Sequence, residues 1–227
     1  WLWVKPRSES DNPVHFDSSR GSDRQLKSNG TDAEDTHSPA KFTFLTDGFE
    51  IDSDDRNYNQ SSATYVAWQW KCNGGTTATN NDGSVAVTLQ ANTTAGFSIG
   101  IFTSNGNTSG TIGHGLGARP DIVITKERND TGNWNVIVPD YASNQMGKLQ
   151  AQDAFGVASG INTVGSSTFT DGDGADSNDR VFYAFRSIQG YSRIGVYSGN
   201  GNANGPFVYT GFKPAWVMIK RADSSGN

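Results

Sequence analysis

The chain has 227 residues, 18 Lys and Arg against 23 Asp and Glu, a formal net charge of −5, 27 glycines and one cysteine. A mildly acidic balance with no basic cluster argues against a nucleic-acid groove or an anionic membrane surface as partner, and the single thiol, Cys72, excludes an intrachain disulfide and a multi-cysteine metal site. Apolar runs of about five residues fall far short of the roughly 20 that a membrane-spanning helix needs, so no membrane insertion is expected.

In chain order, "WLWV" at residues 1–4 reads as the middle of a strand. Residues 8–40 are polar and weakly patterned, and so long a stretch points to wrapping loops or a flexible connection. Short β-type runs follow, separated by Gly, Asn, Asp, Ser and Thr turns: 41–45, 65–70, 85–89, 97–102, 121–125, 134–138 and 181–185. Helical spacing with caps is nowhere sustained, and at most a turn or two is expected near 143–154. The run "AWVMI" at 215–219 reads as a buried strand, and the turn after it should lead into another. Both ends therefore read as cut from a longer chain.

An internal repeat organises these runs. "GFSIGIFTSNGNTSGTIGHGLGARPDIVITKERNDTGN" at 96–133 aligns with "GYSRIGVYSGNGNANGPFVYTGFKPAWVMIKRADSSGN" at 190–227, and Lys126 falls on Lys220. "LWVKPR" aligns with "VITKER", placing Lys5 on Lys126 and Arg7 on Arg128. Further matches set Asp17 on Asp140 and Leu26 on Leu149, "TFLTDG" on "TFTDG", and "YVAW" at 65–68 on "FYAF" at 182–185. The expected fold is all-β: two tandem β-sandwich units of jelly-roll or concanavalin-like type, with the first strand of a third at the C-terminus. Unit one spans 1–120 with an insertion at 72–95, unit two spans 121–214, and 215–227 begin the third.

Motifs for catalysis are absent. His15, His37 and His114 lie in no recognisable nucleophile or metal spacing, G-x-S-x-G and H-E-x-x-H do not occur, and "KCNGG" around Cys72 carries no nucleophile signature. Glutamate is confined to Glu9, Glu34, Glu50 and Glu127, which gives glycoside chemistry little support. The run "DGDGADSND" at 171–179 offers Asp171, Asp173 and Asp176 as calcium oxygens, but Asp176 stands where an EF-hand loop needs Gly and Phe182 where it needs Glu. A solvated acidic turn is expected there and at Asp52, Asp54 and Asp55, with calcium the alternative and no other cofactor. Trp68, Trp70, Trp134 and Trp216 are the candidates for stacking on sugar rings, against a core role for each.

The phrases "YVAWQWKCNGGTTATNNDGSVAVTLQANTTAGFSIGIFT", "GTIGHGLGARPDIVITKERND" and "GNGNANGPFVYTGFKPAWVMIKRADSSGN" resemble the tandem β domains of tail-fibre-like structural proteins of marine tailed bacteriophages. The resemblance implies a non-enzymatic virion protein on the outer surface of the particle. Its implied partners are other virion proteins, copies of itself in a homotrimer, and a host-surface glycan; it carries over no set of functional residues. A carbohydrate-binding lectin-like module, an envelope-degrading depolymerase, and a capsid decoration or bacterial surface protein built from the same domains are the rival expectations.

Overall fold

The structure, a computed structural model, describes residues 1–141, 144–158, 162–172 and 176–224. The described residues form strands and no helix. In chain order these are β1 (Leu2–Pro6), β2 (Val14–Asp17), β3 (Gly21–Lys27), β4 (Asp35–Thr36), β5 (Phe42–Phe44), β6 (Phe49–Ile51), β7 (Tyr65–Gln69), β8 (Ala78–Asn80) and β9 (Val87–Asn92). There follow β10 (Phe97–Thr103), β11 (Thr111–Gly113), β12 (Ile122–Glu127), β13 (Trp134–Ile137), β14 (Gln145–Lys148), β15 (Gly156–Val157), β16 (Thr168–Thr170) and β17 (Asp179–Phe185). Where a helical turn was expected near 143–154 the chain forms β14; Ser143 lies outside the described residues.

The strands pair antiparallel into a five-stranded sheet, β4-β3-β2-β1-β7, and an eight-stranded sheet, β15-β14-β13-β12-β17-β10-β9-β8, with the small pairs β5-β6 and β11-β16. The fold is thus all-β and sandwich-like, as the turn spacing implied. Period-two alternation sets the layers. On β17, Val181 and Tyr183 point into a core shared with Trp1 and Leu26 of the five-stranded sheet, while Phe182 and Ala184 point the other way, into a core with Ile112 and Phe169 of β11-β16. On β1, Leu2 and Val4 pack outward with Phe16, Phe42 and Tyr58. The order across the molecule is therefore β5-β6, five-stranded sheet, eight-stranded sheet, β11-β16.

The two large sheets repeat one another in their pairing register. Val4 opposes Val14 and Leu2 opposes Phe16; 121 residues on, Thr125 opposes Asn135 and Val123 opposes Ile137. The same offset carries Val14↔Lys27 onto Asn135↔Lys148 and Gln25↔Asp35 onto Met146↔Gly156. Ser28 N donates to Pro13 O as Leu149 N donates to Trp134 O, and Arg7 N donates to Thr64 O as Arg128 N donates to Asp179 O. Lys5 Nζ and Lys126 Nζ each donate to the carbonyl of the next residue, at 3.0 and 2.7 Å. The ladders align Lys27 with Lys148, not Leu26 with Leu149, and Val66 with Val181. Both sequence matches, Asp17 on Asp140 and "YVAW" on "FYAF", therefore stand two residues out of step.

The eight-stranded sheet takes strands from both sides of residue 120: β10 pairs along its length with β17, from Phe97↔Phe185 to Thr103↔Asp179. The boundary between the sequence units is thus no boundary between sheets. The third copy behaves differently. Residues 215–220, expected to be its first strand, form none, and neither do 194–197 of unit two, the copy of β10. Lys220 Nζ donates instead to the carbonyls of Ala151 and Asp153. A strand sequence without a neighbour for its N–H and C=O groups has no ladder to join.

Gly100 and Gly195, equivalent in the repeat, separate these two states. A Cβ on Gly100 would meet the Phe182 ring at 2.2 Å, whereas one on Gly195 would meet nothing. Gly100→Ala is therefore expected to destabilise the fold by about 1–3 kcal/mol through overpacking, and Gly195→Ala to leave the urea midpoint of the monomer unchanged. Equal effects in the two variants would contradict the difference in packing.

Candidate functional site

The joint between the two large sheets opens onto an aromatic cluster beside β7. Trp1, just ahead of β1, and Trp3 within it stand two residues apart, as do Trp68 in β7 and Trp70 just after it, so antiparallel pairing of Trp3 with Trp68 and the Trp70 N to Trp1 O bond bring all four to one region. Ring centroids lie 5.6 Å apart for Trp3 and Trp68 and 4.6 Å for Trp1 and Trp70. Trp216, from the unpaired C-terminal segment, lies edge-on or tilted against Trp3, Trp68 and Trp70 at 6.2, 6.4 and 5.6 Å. Inward, Trp1 stacks on Tyr183 at 4.5 Å and contacts Phe97 and Phe185.

Three of the four tryptophans singled out from sequence thus converge, half-buried at Trp68 and Trp70 and 37% exposed at Trp216. The fourth is a correction: Trp134 is fully buried, and its Nε1–H donates across the joint to Lys27 O at 2.8 Å, leaving no ring face for a sugar. Sequence reasoning missed Trp1 and Trp3. Their i, i+2 spacing, matched by Trp68 and Trp70, was the available signal.

Beneath the aromatics lies a buried ionic network. Arg20 Nε donates to Asp17 Oδ2 at 2.6 Å, Arg20 Nη1 to Glu34 Oε2 at 2.8 Å, and Arg20 Nη2 to His15 O at 3.1 Å. The far half of the molecule completes it: Tyr183 Oη donates to Asp17 Oδ2 at 2.7 Å, and Arg128 binds both oxygens of Glu34, at 2.8 and 3.1 Å. Burial by itself would push the Asp17 carboxyl up, but the Arg20 charge and the Tyr183 and Arg20 hydrogen bonds outweigh it and hold the group below the usual carboxylate range. Burial and then Arg20 hold His15 well below the ordinary histidine value, so it is neutral.

The acidic run resolves into a second ion cluster. Arg180 donates to Asp171 at 3.1 Å, to Asp176 at 2.9 Å and to Glu127 at 2.7 Å. Asp171 and Asp176, two of the proposed calcium ligands, share this guanidinium; Asp173 lies outside the described residues. Asp52 accepts from Thr43 Oγ1, and Asp55 from the backbone and side-chain nitrogens of Asn57. His114 is buried, with Nδ1 accepting from Leu116 N and Nε2 3.3 Å from Gly165 O. Cys72 is buried, and burial pushes its thiol up.

The family model for a domain of unknown function, DUF7483, matches residues 1–227. The chain belongs to this family. No curated protein and no solved structure matches it. In this DUF7483 chain, then, the aromatic cluster and the β7 edge beside it rest on geometry alone.

Two buried histidines set a pH dependence for the DUF7483 fold. Burial lowers both His15 and His114 in the folded state, while the unfolded chain protonates them near the ordinary value of 6.5. The stability they allow is complete above that value and is lost as the pH falls below it, by about 1.4 kcal/mol per pH unit for each strongly depressed group. The urea midpoint should fall between pH 7.5 and 5.5, and His15→Gln should remove the His15 share of that fall. A flat midpoint in the unaltered chain would contradict a neutral, buried His15.

Proposed function

We propose that this chain is a non-enzymatic structural segment of a tail-fibre-like virion protein, carried on the outside of the particle and contributing to attachment to the host surface. The observation that supports it best is the repeated sheet, with one pairing register kept at a constant offset of 121 residues from β1–β4 to β12–β15. Repetition of a β unit adds length from the same set of contacts, which suits a spacer or fibre. Its partners on this reading are other virion proteins, further copies of itself, and a host glycan.

The tryptophan cluster supplies the attachment element of the proposal. Aromatic faces stack on the apolar faces of sugar rings, and the cluster of Trp68, Trp70 and Trp216, partly exposed at each, supports that reading. The same convergence favours a lectin-like module as the second reading. Glu127, Asp171 and Asp176 are gathered on one guanidinium, that of Arg180, an arrangement that suits a structural ion cluster.

Gold-labelled antibodies against the chain, applied to tailed particles from a lysate of the virus encoding it, should mark the tail. Label on the head would favour a capsid decoration role, and absence of label from the particles would overturn the virion assignment. On a glycan array, Trp68→Ala and Trp216→Ala should each lower binding about five- to thirtyfold, the loss of one stacked ring at roughly 1–2 kcal/mol. Binding unchanged in both variants would remove the cluster from recognition.

A further inference from the structure

The repeat shows what is missing from the five-stranded sheet. In the eight-stranded sheet β17 has β12 on one side and β10 on the other. Its equivalent, β7, has β1 on one side, is last in the strand order, and pairs with no described strand on its other edge. The chain also carries a spare copy of the strand that fills this place: "IGVY" at 194–197 repeats "IGIF" at 99–102 of β10. In β10 Ile99, Gly100 and Phe102 are buried; in the copy Ile194 packs half-buried against the aromatic core, but Val196 is 54% exposed and a Cβ on Gly195 would meet nothing. The same segment holds the copy of β11, with Phe207 88% exposed.

We propose that the open edge of β7 accepts residues 194–197 from a second copy of this chain, adding one antiparallel strand to the five-stranded sheet. The observed β10–β17 ladder fixes the register. Ile99↔Tyr183, Gly100↔Phe182, Ile101↔Val181 and Phe102↔Arg180 translate to Ile194↔Trp68, Gly195↔Ala67, Val196↔Val66 and Tyr197↔Tyr65. The added strand satisfies the N–H and C=O row of β7 and sets Ile194 beside the tryptophan cluster, while glycine meets the small residue of the acceptor. Donor and acceptor lie on different parts of each copy, so the contact is head-to-tail and builds rings or open chains, not a closed two-fold dimer.

Strand addition across copies is the arrangement the segment's position favours. Within one chain Ile194 and Trp216 already stand against the aromatic core, yet 194–197 pair with no described strand, and Lys220 and Ala222 tie the end of the segment to Ala151, Asp153 and Phe155; the unpaired strand is therefore offered to another copy. The inference rests on the duplicated register and not on the virion reading. Oligomers formed by a chain that labels no particle would leave it standing and sink that reading.

The test uses the full chain. Sedimentation should show head-to-tail oligomers that grow with concentration, and Val196→Pro, which removes the central donor N–H from a residue already outside any strand, should be monomeric with an unchanged thermal midpoint. Mixing a Val66→Cys chain with a Val196→Cys chain under oxidising conditions should give a disulfide-linked pair; Ala67→Cys with Val196→Cys, one residue out of register and on the opposite face, should not. The one native thiol, Cys72, is buried. A monomer at every concentration, association that survives Val196→Pro, equal cross-linking in both cysteine pairs, or a 66–196 disulfide closing within a single chain carrying both cysteines in preference to one between chains would each overturn the proposal.

Discussion

Asp17 and Arg20 form an ion pair whose side chains are both fully buried, and the joint between the two large sheets is built around it. A buried pair carries a desolvation cost of several kcal/mol per ion and is tolerable only when its remaining donors and acceptors are also met. Here they are met from both sheets. Tyr183 of β17 gives its hydroxyl to Asp17, and Glu34 joins Arg20 to Arg128. Backbone bonds run the same way: Glu34 N donates to Arg128 O and Gly132 N to Thr31 O. Apolar attraction is non-directional, whereas this joint has an arrangement in which each of these charges meets a partner at hydrogen-bond distance. Trp1, Trp3 and His15 stack above that fixed point, so the aromatic cluster inherits its position from the ions beneath it.

The duplicated register gives the molecule a direction. The eight-stranded sheet is the complete version of the unit, because β8–β10 complete what β12–β17 begin. The five-stranded sheet is the same unit without that addition. In the described residues, unit two takes β8–β10 from unit one, while β7 keeps an open edge and the copies of β10 and β11 stay outside any strand. Long, uncovered strand edges invite pairing with other chains, and natural sequences keep them where pairing has a use.

Much of this was legible in sequence, for identifiable reasons. Runs rich in β-branched and aromatic residues and bounded by turn residues, such as those that became β7, β10, β12, β13 and β17, were readable from composition and punctuation, with no need of an alternating pattern. Residues 8–40 read as structureless, yet they hold β2, β3 and β4, because the residues those strands and their turns bury include His15, Asp17, Arg20 and Gln25. A core built from ion pairs leaves no hydrophobic period to find. The repeat was visible, but its register there was not, since only the ladder distinguishes Lys27/Lys148 from Leu26/Leu149. Trp134 misled for the opposite reason: on a strand buried on both faces, an aromatic residue looks the same in sequence as one aimed at solvent.

If the buried network joins the two sheets as described, they must unfold together. Pulse-labelled hydrogen exchange across a urea series, read by mass spectrometry on peptides covering β2 and β12, measures the two separately in one sample. A shared midpoint and slope for the two peptides is the predicted result. Loss of protection in β2 at a lower urea concentration than in β12 would contradict it, and would mean that the sheets meet without depending on each other.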